Sequence, residues 1–328
     1  MAGGAFGAGA LVIWLNARKV ADLGLVEFVL ASVKVIAIML FIIFGLANIF
    51  GLGAAPIGFD NYFVQGGPVP HGLWGIWMAV LMAIFSFIGI EMIAVAAGET
   101  VEPARAVPAA MRTMLWRLVI FYGLGLAIMV AVVPWDQAGA KLVTESPFVR
   151  VFANFGLPFA ASIMNMVVIL AALSSMNALL YLSARMLFSL ARNDQAPAAL
   201  GRLSGDGVPV LAVFVAGLGV AGASATAMWS PAAYNYLLGI ALFGAIWTWG
   251  TILATHIRFR QMRGRPEGLA APFAPFLQYA ALGTLIAVCI TMALDQEFWN
   301  IAILVGLPWI GLLTIIHLTR RNKGPITP

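Results

Sequence analysis

The sequence predicts an all-α integral membrane protein with about nine transmembrane helices. Of its 328 residues, 62% are hydrophobic and only 9% are charged, whereas a soluble domain carries about 25% charged residues. Long apolar runs recur along the chain, and most reach the roughly 20 residues that a helix needs to cross a bilayer core. The basic residues form short clusters between these runs and no single basic face. We therefore expect a lipid bilayer around the chain and no nucleic-acid partner.

The candidate spans follow one another without an intervening soluble domain. We place them, in order, at residues 1–16, 25–50, 73–97, 117–134, 158–184, 208–229, 234–256, 275–294 and 298–318. The first run is short, and its charges follow the apolar part, which is not the order of a signal peptide. Because this run starts almost at Met1, and because the number of spans is odd, we expect the chain to begin in the middle of a larger protein.

The connections between the runs alternate in charge. Fifteen of the 18 lysines and arginines follow the first, third, fifth, seventh and ninth runs. They are Arg18, Lys19, Arg105, Arg112, Arg117, Arg185, Arg192, Arg202, Arg258, Arg260, Arg263, Arg265, Arg320, Arg321 and Lys323. Cytoplasmic loops of membrane proteins carry the excess of basic residues. We therefore predict a multi-pass protein of the cytoplasmic (inner) membrane with a cytoplasmic C-terminus.

The basic connection after the third run predicts a short surface helix that leads into the fourth span. Pro103 suits the first turn of a helix. Glu99 and Glu102 suit its positive end.

The motifs of familiar enzymes are missing from the sequence. HExxH, GxSxG and GxxxxGK[ST] do not occur, and the single cysteine, Cys289, excludes an intrachain disulfide and a cysteine-based metal cluster. We therefore predict a protein that is not an enzyme and holds no cofactor or metal. If the protein carries out active transport, the lack of a nucleotide site means that an ion gradient has to drive it, and the lack of an acidic cluster favours protons over sodium.

Two formal charges appear deep in the predicted spans, at Lys34 and Glu91. Ionisable residues at this depth are costly and usually face a cavity or a partner. Lys34 either snorkels to the interface or faces the bundle interior, where desolvation allows it to gain and lose a proton. Glu91 either bonds to a neighbouring helix end or acts as a gate or proton-linked group beside a substrate. Gly89 interrupts the run just before Glu91, where a broken helix would expose backbone groups to a small solute.

A third polar group, made of Ser174, Ser175 and Asn177, lies within one turn of the fifth predicted span. Serine also bonds to the backbone of its own helix. This group alone is therefore weak evidence for function.

Several segments resemble one transporter family. FSFIGIEMIAVAAGETVEPARAVPAAMRTMLWRLVIFY, at 85–122, resembles the sixth-helix signature of amino acid permeases in the amino acid–polyamine–organocation superfamily, above all the bacterial amino acid transporter branch. EFVLASVKVIAI, at 27–38, resembles the fifth helix of that family, lysine included. LSSMNALLYLSARMLFSLA, at 173–191, is similar to its eighth-helix region. The matches follow in order over nearly the whole chain.

The resemblance implies a twelve-helix transporter built on the leucine-transporter-type five-plus-five inverted repeat. The nine predicted spans look like family helices four to twelve, so helices one to three would be absent. In a single permease domain over 1–328, residues 1–50 would hold the remainder of the first repeat, 73–256 the second repeat and 275–318 two C-terminal helices.

The resemblance also implies site residues. Those of the substrate site are Phe85, Ser86, Phe87, Ile88, Gly89 and Glu91. Phe85 would be the aromatic gate, residues 86–89 would offer backbone carbonyls to the substrate ammonium, and Glu91 would lie at the cytoplasmic end of the break. Lys34 matches the fifth-helix lysine that replaces a bound sodium in proton-coupled relatives. Ser174, Ser175 and Asn177 match the eighth-helix segment that faces this lysine.

We therefore expect secondary active transport of amino acids, coupled to protons, by alternating access around a site at the bilayer midplane. The alternative is a truncated membrane protein or subunit that transports nothing and only packs with partner helices. The sequence leaves open which amino acid would be carried and which oligomer forms.

Overall fold

The computed structural model describes residues 2–18, 20–52, 55–64, 66–97, 100, 102–137, 147–153, 159–229, 233–264, 273–295 and 299–321. Over these ranges the chain is helical, with turns between the helices and no β-strand. The helices are α1 (Ala2–Asn16), α2 (Val20–Phe50), α3 (Gly72–Phe85), α4 (Met92–Ala96), α5 (Pro103–Leu118), α6 (Gly125–Val132), α7 (Pro147–Ala153), α8 (Ala160–Arg192), α9 (Val210–Trp229), α10 (Ala233–Arg263), α11 (Phe276–Leu294) and α12 (Asn300–Arg321).

Six helical stretches of the described chain are long and apolar enough to cross a membrane. They are Gly24–Phe50, Pro103–Val132, Ser162–Arg192, Tyr236–Arg263, Phe276–Leu294 and Asn300–Thr319. Three shorter apolar helices cover Phe6–Asn16, Gly72–Phe85 and Val210–Thr226. Each apolar run of the sequence thus contains a helix, and the all-helical membrane class is confirmed. The count of nine crossings stays a prediction, because three of these helices are short.

The fourth predicted span differs from expectation at its start. The surface helix α5 does not end before the span: it continues through a π-helical segment, Val119–Leu124, into α6. Pro103 occupies the first turn, as predicted, while Pro108 lies inside α5. A π-helical turn keeps backbone hydrogen bonds satisfied while it shifts the register of the helix, so two helices join here without a loop.

The chain divides into two compact units, which are described separately. One unit contains Met1–Phe6, Val80–Ile90 and Gly219–Pro328. The other contains Gly7–Ala79 and Glu91–Leu218. We call them the α10–α12 unit and the α2–α8 unit.

In the α2–α8 unit, α2 packs against α6, α7 and α8. Phe41, Ile128 and Val151 are buried at the centre of this contact. Gly45 lies directly against the Ile128 side chain, and a methyl group at this position would overlap it. Small residues allow this close approach of helices in lipid. The amide of Asn48 donates to the Val151 carbonyl oxygen at 2.9 Å and so joins α2 to α7.

A turn outside the spans is fastened to α6. The Tyr62 hydroxyl donates to the Ala127 carbonyl oxygen at 2.6 Å, and the Asn61 amide donates to the Ala131 carbonyl oxygen at 2.7 Å. Burial raises the pKa of the Tyr62 phenol. The Tyr62 hydroxyl thus bonds to the backbone of a helix.

In the α10–α12 unit, α10 packs against both α11 and α12. Gly306 of α12 lies against the ring of Phe243, which is buried on α10. An apolar groove of about 500 Å³ between the three helices is lined by residues that include Trp247, Cys289 and Leu307.

Candidate functional site

A cluster of polar side chains joins α2 to α8 within the α2–α8 unit. The Lys34 ammonium donates a hydrogen bond to Ser174 Oγ at 2.7 Å. Ser174 in turn donates to Glu27 Oε1 at 2.5 Å. The direct distance from Lys34 Nζ to Glu27 Oε1 is 3.9 Å, too long for a hydrogen bond. The Ser174 hydroxyl is therefore the bridge between an ammonium and a carboxylate.

Two asparagines extend the cluster to α1. Asn177 Nδ2 donates to Glu27 Oε2 at 3.3 Å, and Asn16 Nδ2 donates to Asn177 Oδ1 at 2.8 Å. Asn16 also donates to the Val12 carbonyl oxygen of its own helix at 3.0 Å. The bonds therefore link α1, α8 and α2 in one network, which we call the polar ladder: Lys34, Ser174, Glu27, Asn177 and Asn16.

Helical spacing explains why these residues meet. Glu27 and Lys34 are seven residues apart on α2, and Ser174 and Asn177 are three apart on α8, so each pair shares a helix face. Ser174 and Asn177 are buried, with 0% and 4% exposure. Ser175 is the next residue around the helix and is exposed. Of the predicted coupling residues, which are Lys34, Glu91, Ser174, Ser175 and Asn177, the fold brings together Lys34, Ser174 and Asn177. Ser175 lies on another face of α8, and Glu91 lies at the start of α4.

Charge in the ladder is only partly shielded from its surroundings. The side chains of Lys34 and Glu27 are 28% and 33% exposed. Opposite charges this close stabilise one another most where water is scarce. An ammonium and a carboxylate at membrane depth are costly, so their hydrogen bonds to buried hydroxyl and amide groups reduce the cost of holding both.

Sequence reasoning missed two members of the ladder. Glu27 lies near the start of the candidate span Gly24–Phe50, and the sequence analysis, which considered charges deep in the spans, did not select it. The signal was present, because a seven-residue spacing from Lys34 places Glu27 on the same face of α2. Asn16 had no such signal, since its partner Asn177 is 161 residues away in sequence.

The other predicted site is a break between α3 and α4. Helix α3 ends at Phe85, residues 86–91 form turns, and α4 begins at Met92. Bonds from Ser86 N to Ala83 O and from Ile88 N to Phe85 O replace the α-helical pattern. Gly89 has φ of +101°, a conformation that is costly for residues with a Cβ atom. The helix thus stops where the sequence places the interruption.

Glu91 follows this break and is the N-cap residue of α4. Its carbonyl oxygen accepts a hydrogen bond from the Ala94 backbone amide at 3.0 Å. Phe85 and residues 86–89 belong to the α10–α12 unit, whereas Glu91 belongs to the α2–α8 unit. Among the described residues, no group of three His, Cys, Asp or Glu side chains could hold a metal ion.

Comparison with known proteins decides the family. The profile of the amino acid permease family matches residues 8–325. The chain belongs to the amino acid permease family. This membership makes it a multi-pass transporter-type membrane protein and not an enzyme.

Similar amino acid permeases occur in Bacillus subtilis (strain 168). The uncharacterized amino acid permease YtnA is 37% identical over 94% of this chain and 68% of its own length. The gamma-aminobutyric acid permease is 34% identical over 94% of this chain and 66% of its own length. The amino-acid permease RocE is 35% identical over 94% of this chain and 68% of its own length. The chain thus spans about two thirds of the length of these relatives.

Proposed function

We propose that this chain carries out proton-coupled transport of amino acids across the cytoplasmic membrane by alternating access. Its family and its relatives support amino acid transport. One observation supports protons as the coupling ion: the Lys34 ammonium bonds inward to Ser174 of α8. A lysine that serves only to reach the interface has no need of a buried hydroxyl partner on a neighbouring helix.

The proposed substrate site is the break between α3 and α4. The C-terminal end of a helix carries partial negative charge and the N-terminal end partial positive charge. An amino acid in the break would therefore place its ammonium at the end of α3, near the carbonyls of residues 86–89. Phe85 would close the outer side, and Glu91 would act as a gate at the cytoplasmic end.

The proposed coupling group is Lys34. Its charged form is stabilised by Ser174 and Glu27, and its neutral amine suits a site from which water is excluded. Alternation between these forms would link proton entry and release to the two orientations of the transporter. Asn177 holds the carboxylate of Glu27. Ser175, the exposed neighbour of Ser174, has the weaker support of the two serines.

The topology belongs to the same proposal. The basic connections would face the cytoplasm together with the C-terminus. The helices would be arranged as family helices four to twelve of an inverted-repeat fold, with 1–50, 73–256 and 275–318 as its parts. The alternative, a protein that only packs with partner helices, is not favoured by relatives that are permeases.

The decisive experiment is an uptake screen in proteoliposomes. The protein is reconstituted, a proton gradient is imposed, and accumulation of each radiolabelled amino acid is measured with and without a protonophore. We expect at least one amino acid to accumulate above its external concentration and the protonophore to abolish the accumulation. Failure to take up any amino acid would refute transport by this chain. Uptake that ignores the protonophore would refute proton coupling alone.

A further inference from the structure

A carboxylate that the Lys34 proposal does not require lies on the same face of α2 as this lysine. Ser174 Oγ accepts from Lys34 Nζ at 2.7 Å and donates to Glu27 Oε1 at 2.5 Å. A hydroxyl group has one proton to donate and lone pairs to accept. Ser174 is therefore placed to receive a proton on one side while it releases one on the other.

We propose that Glu27 exchanges a proton with Lys34 through the Ser174 hydroxyl and is the second titrating group of the coupling site. This inference rests on the proposed role of Lys34. In the transfer, an N–H bond of Lys34 breaks as its proton moves to Ser174 Oγ, and the Ser174 O–H bond breaks as that proton moves to Glu27 Oε1. The ammonium becomes an amine, the carboxylate becomes a carboxylic acid, and the hydroxyl is regenerated.

The transfer suits a site that alternates between wet and dry states. Before it, two opposite charges lie 3.9 Å apart; after it, the site holds no formal charge. A charged group is costly inside the bilayer, so exclusion of water favours the neutral state and entry of water favours the charged one. The exchange therefore gives Lys34 a way to lose its charge without direct contact with bulk water.

The direction of the polar ladder fits release toward the basic side. Glu27 is nearer than Lys34 to the end of α2 that follows Arg18 in the chain. Asn177 is nearer than Ser174 to the end of α8 that carries Arg185 and Arg192. A proton on Glu27 has thus moved from Lys34 toward the ends of the helices that the charge distribution assigns to the cytoplasm.

Within the described part of the chain, the main elements that pack against α2 offer Lys34 no aspartate or glutamate. The π-helical segment, α6, α7 and α8 all pack against α2. Their charged or titratable residues are Tyr122, Arg150, Tyr181, Arg185 and Arg192. None of these is an aspartate or a glutamate. Removal of Glu27 should therefore change the titration midpoint of Lys34, and removal of Lys34 should change that of Glu27.

The first test measures how the reactivity of the Lys34 amine depends on pH, and it does not require transport. The reconstituted protein is labelled with an amine-reactive reagent over a range of pH, and the extent of reaction at Lys34 is measured by mass spectrometry. In Glu27→Gln we expect the midpoint to fall, since a nearby negative charge that favours the ammonium is lost. Glu27→Asp should keep most of the wild-type midpoint. Glu102→Gln, at an exposed glutamate before α5, is the matched control and should not move it.

The second test reads Glu27 by infrared spectroscopy. The protonated-carboxyl band that Glu27→Gln removes is followed against pH. In Lys34→Met we expect its midpoint to rise, because coupled groups shift one another reciprocally. In Ser174→Ala both shifts should shrink, whereas Ser183→Ala, at an exposed serine of α8, should leave them unchanged.

The outcomes separate this inference from the proposed function. An unchanged Lys34 midpoint in folded Glu27→Gln, or no band that depends on Glu27, overturns the exchange even if the protein transports amino acids with protons. Reciprocal shifts that shrink in Ser174→Ala support it even if the uptake screen fails, because neither readout requires transport.

Discussion

The two units hold their long helices together by different means. In the α2–α8 unit, α2 meets α8 through an ammonium, a carboxylate, a hydroxyl and an amide. In the α10–α12 unit, α12 meets α10 through a glycine laid against a phenylalanine ring. In lipid, small residues and close packing suffice to associate helices. The polar contact is therefore more than packing requires, which supports the coupling role proposed for it, whereas the glycine–phenylalanine contact needs no role beyond stability.

The largest effect is expected at Lys34. Lys34→Ala should abolish proton-driven accumulation, because it removes the group proposed to bind and release the proton. Lys34→Arg keeps the charge but cannot give up its proton under ordinary conditions, so it should fail equally. Accumulation is measured in proteoliposomes with an imposed proton gradient, while exchange of internal and external amino acid shows whether binding survives. Full coupling in Lys34→Arg would mean that only the charge matters.

A substitution at Gly306 should change the stability of the protein and leave its proton coupling unchanged. A side chain here meets the Phe243 ring at once, and overpacking a tight contact costs about 1–3 kcal/mol. Gly306→Ala should therefore lower the thermal midpoint of the protein in detergent, measured by fluorescence-detected size exclusion. The pH dependence of uptake per folded molecule should not change. A shifted pH profile would contradict the proposal that the Gly306–Phe243 contact contributes stability and not proton coupling.

Gly311 provides the matched control on the same helix. A methyl group at Gly311 meets no atom within 4 Å. Alanine favours the helix over glycine by about 1 kcal/mol, so Gly311→Ala should leave the thermal midpoint unchanged or raise it slightly. An equal loss in both variants would mean that the cost at Gly306 does not come from Phe243.

Gly89 distinguishes the cost of backbone strain from the cost of packing. A Cβ at Gly89 meets nothing within 4 Å, but φ there is +101°. Gly89→Ala should cost about 1–3 kcal/mol through backbone strain alone and raise the KM for uptake by altering the break. Gly283→Ala on α11, with no neighbour within 4 Å and no positive φ, is the control. Unchanged KM and thermal midpoint in Gly89→Ala would show that the break tolerates a side chain.

The sequence predicted Lys34 of the polar contact but not the pairing of Gly306 with Phe243, and the reasons are physical. Lys34 is visible because a charge in an apolar run is rare, and Gly89 because glycine interrupts such a run. The helices themselves are visible as apolar runs of sufficient length. Ser174 and Ser175 are equivalent in sequence, and only their positions around α8 distinguish the buried residue from the exposed one. The pairing of Asn16 with Asn177, and of Gly306 with Phe243, depends on tertiary packing that a single sequence does not contain.

The smallest effect is expected at Tyr62, which fastens a turn to α6. Tyr62→Phe removes one hydrogen bond to the Ala127 carbonyl oxygen and should cost about 1 kcal/mol. Because burial raises the pKa of Tyr62 above its usual value of 10.0, the folded state favours the neutral phenol. The contribution of Tyr62 is thus complete below pH of about 10 and is lost as the pH rises through the folded-state pKa. Thermal midpoints measured against pH should therefore converge for wild type and Tyr62→Phe on the alkaline side. A constant difference at all pH values would show that ionisation of this phenol is not linked to folding.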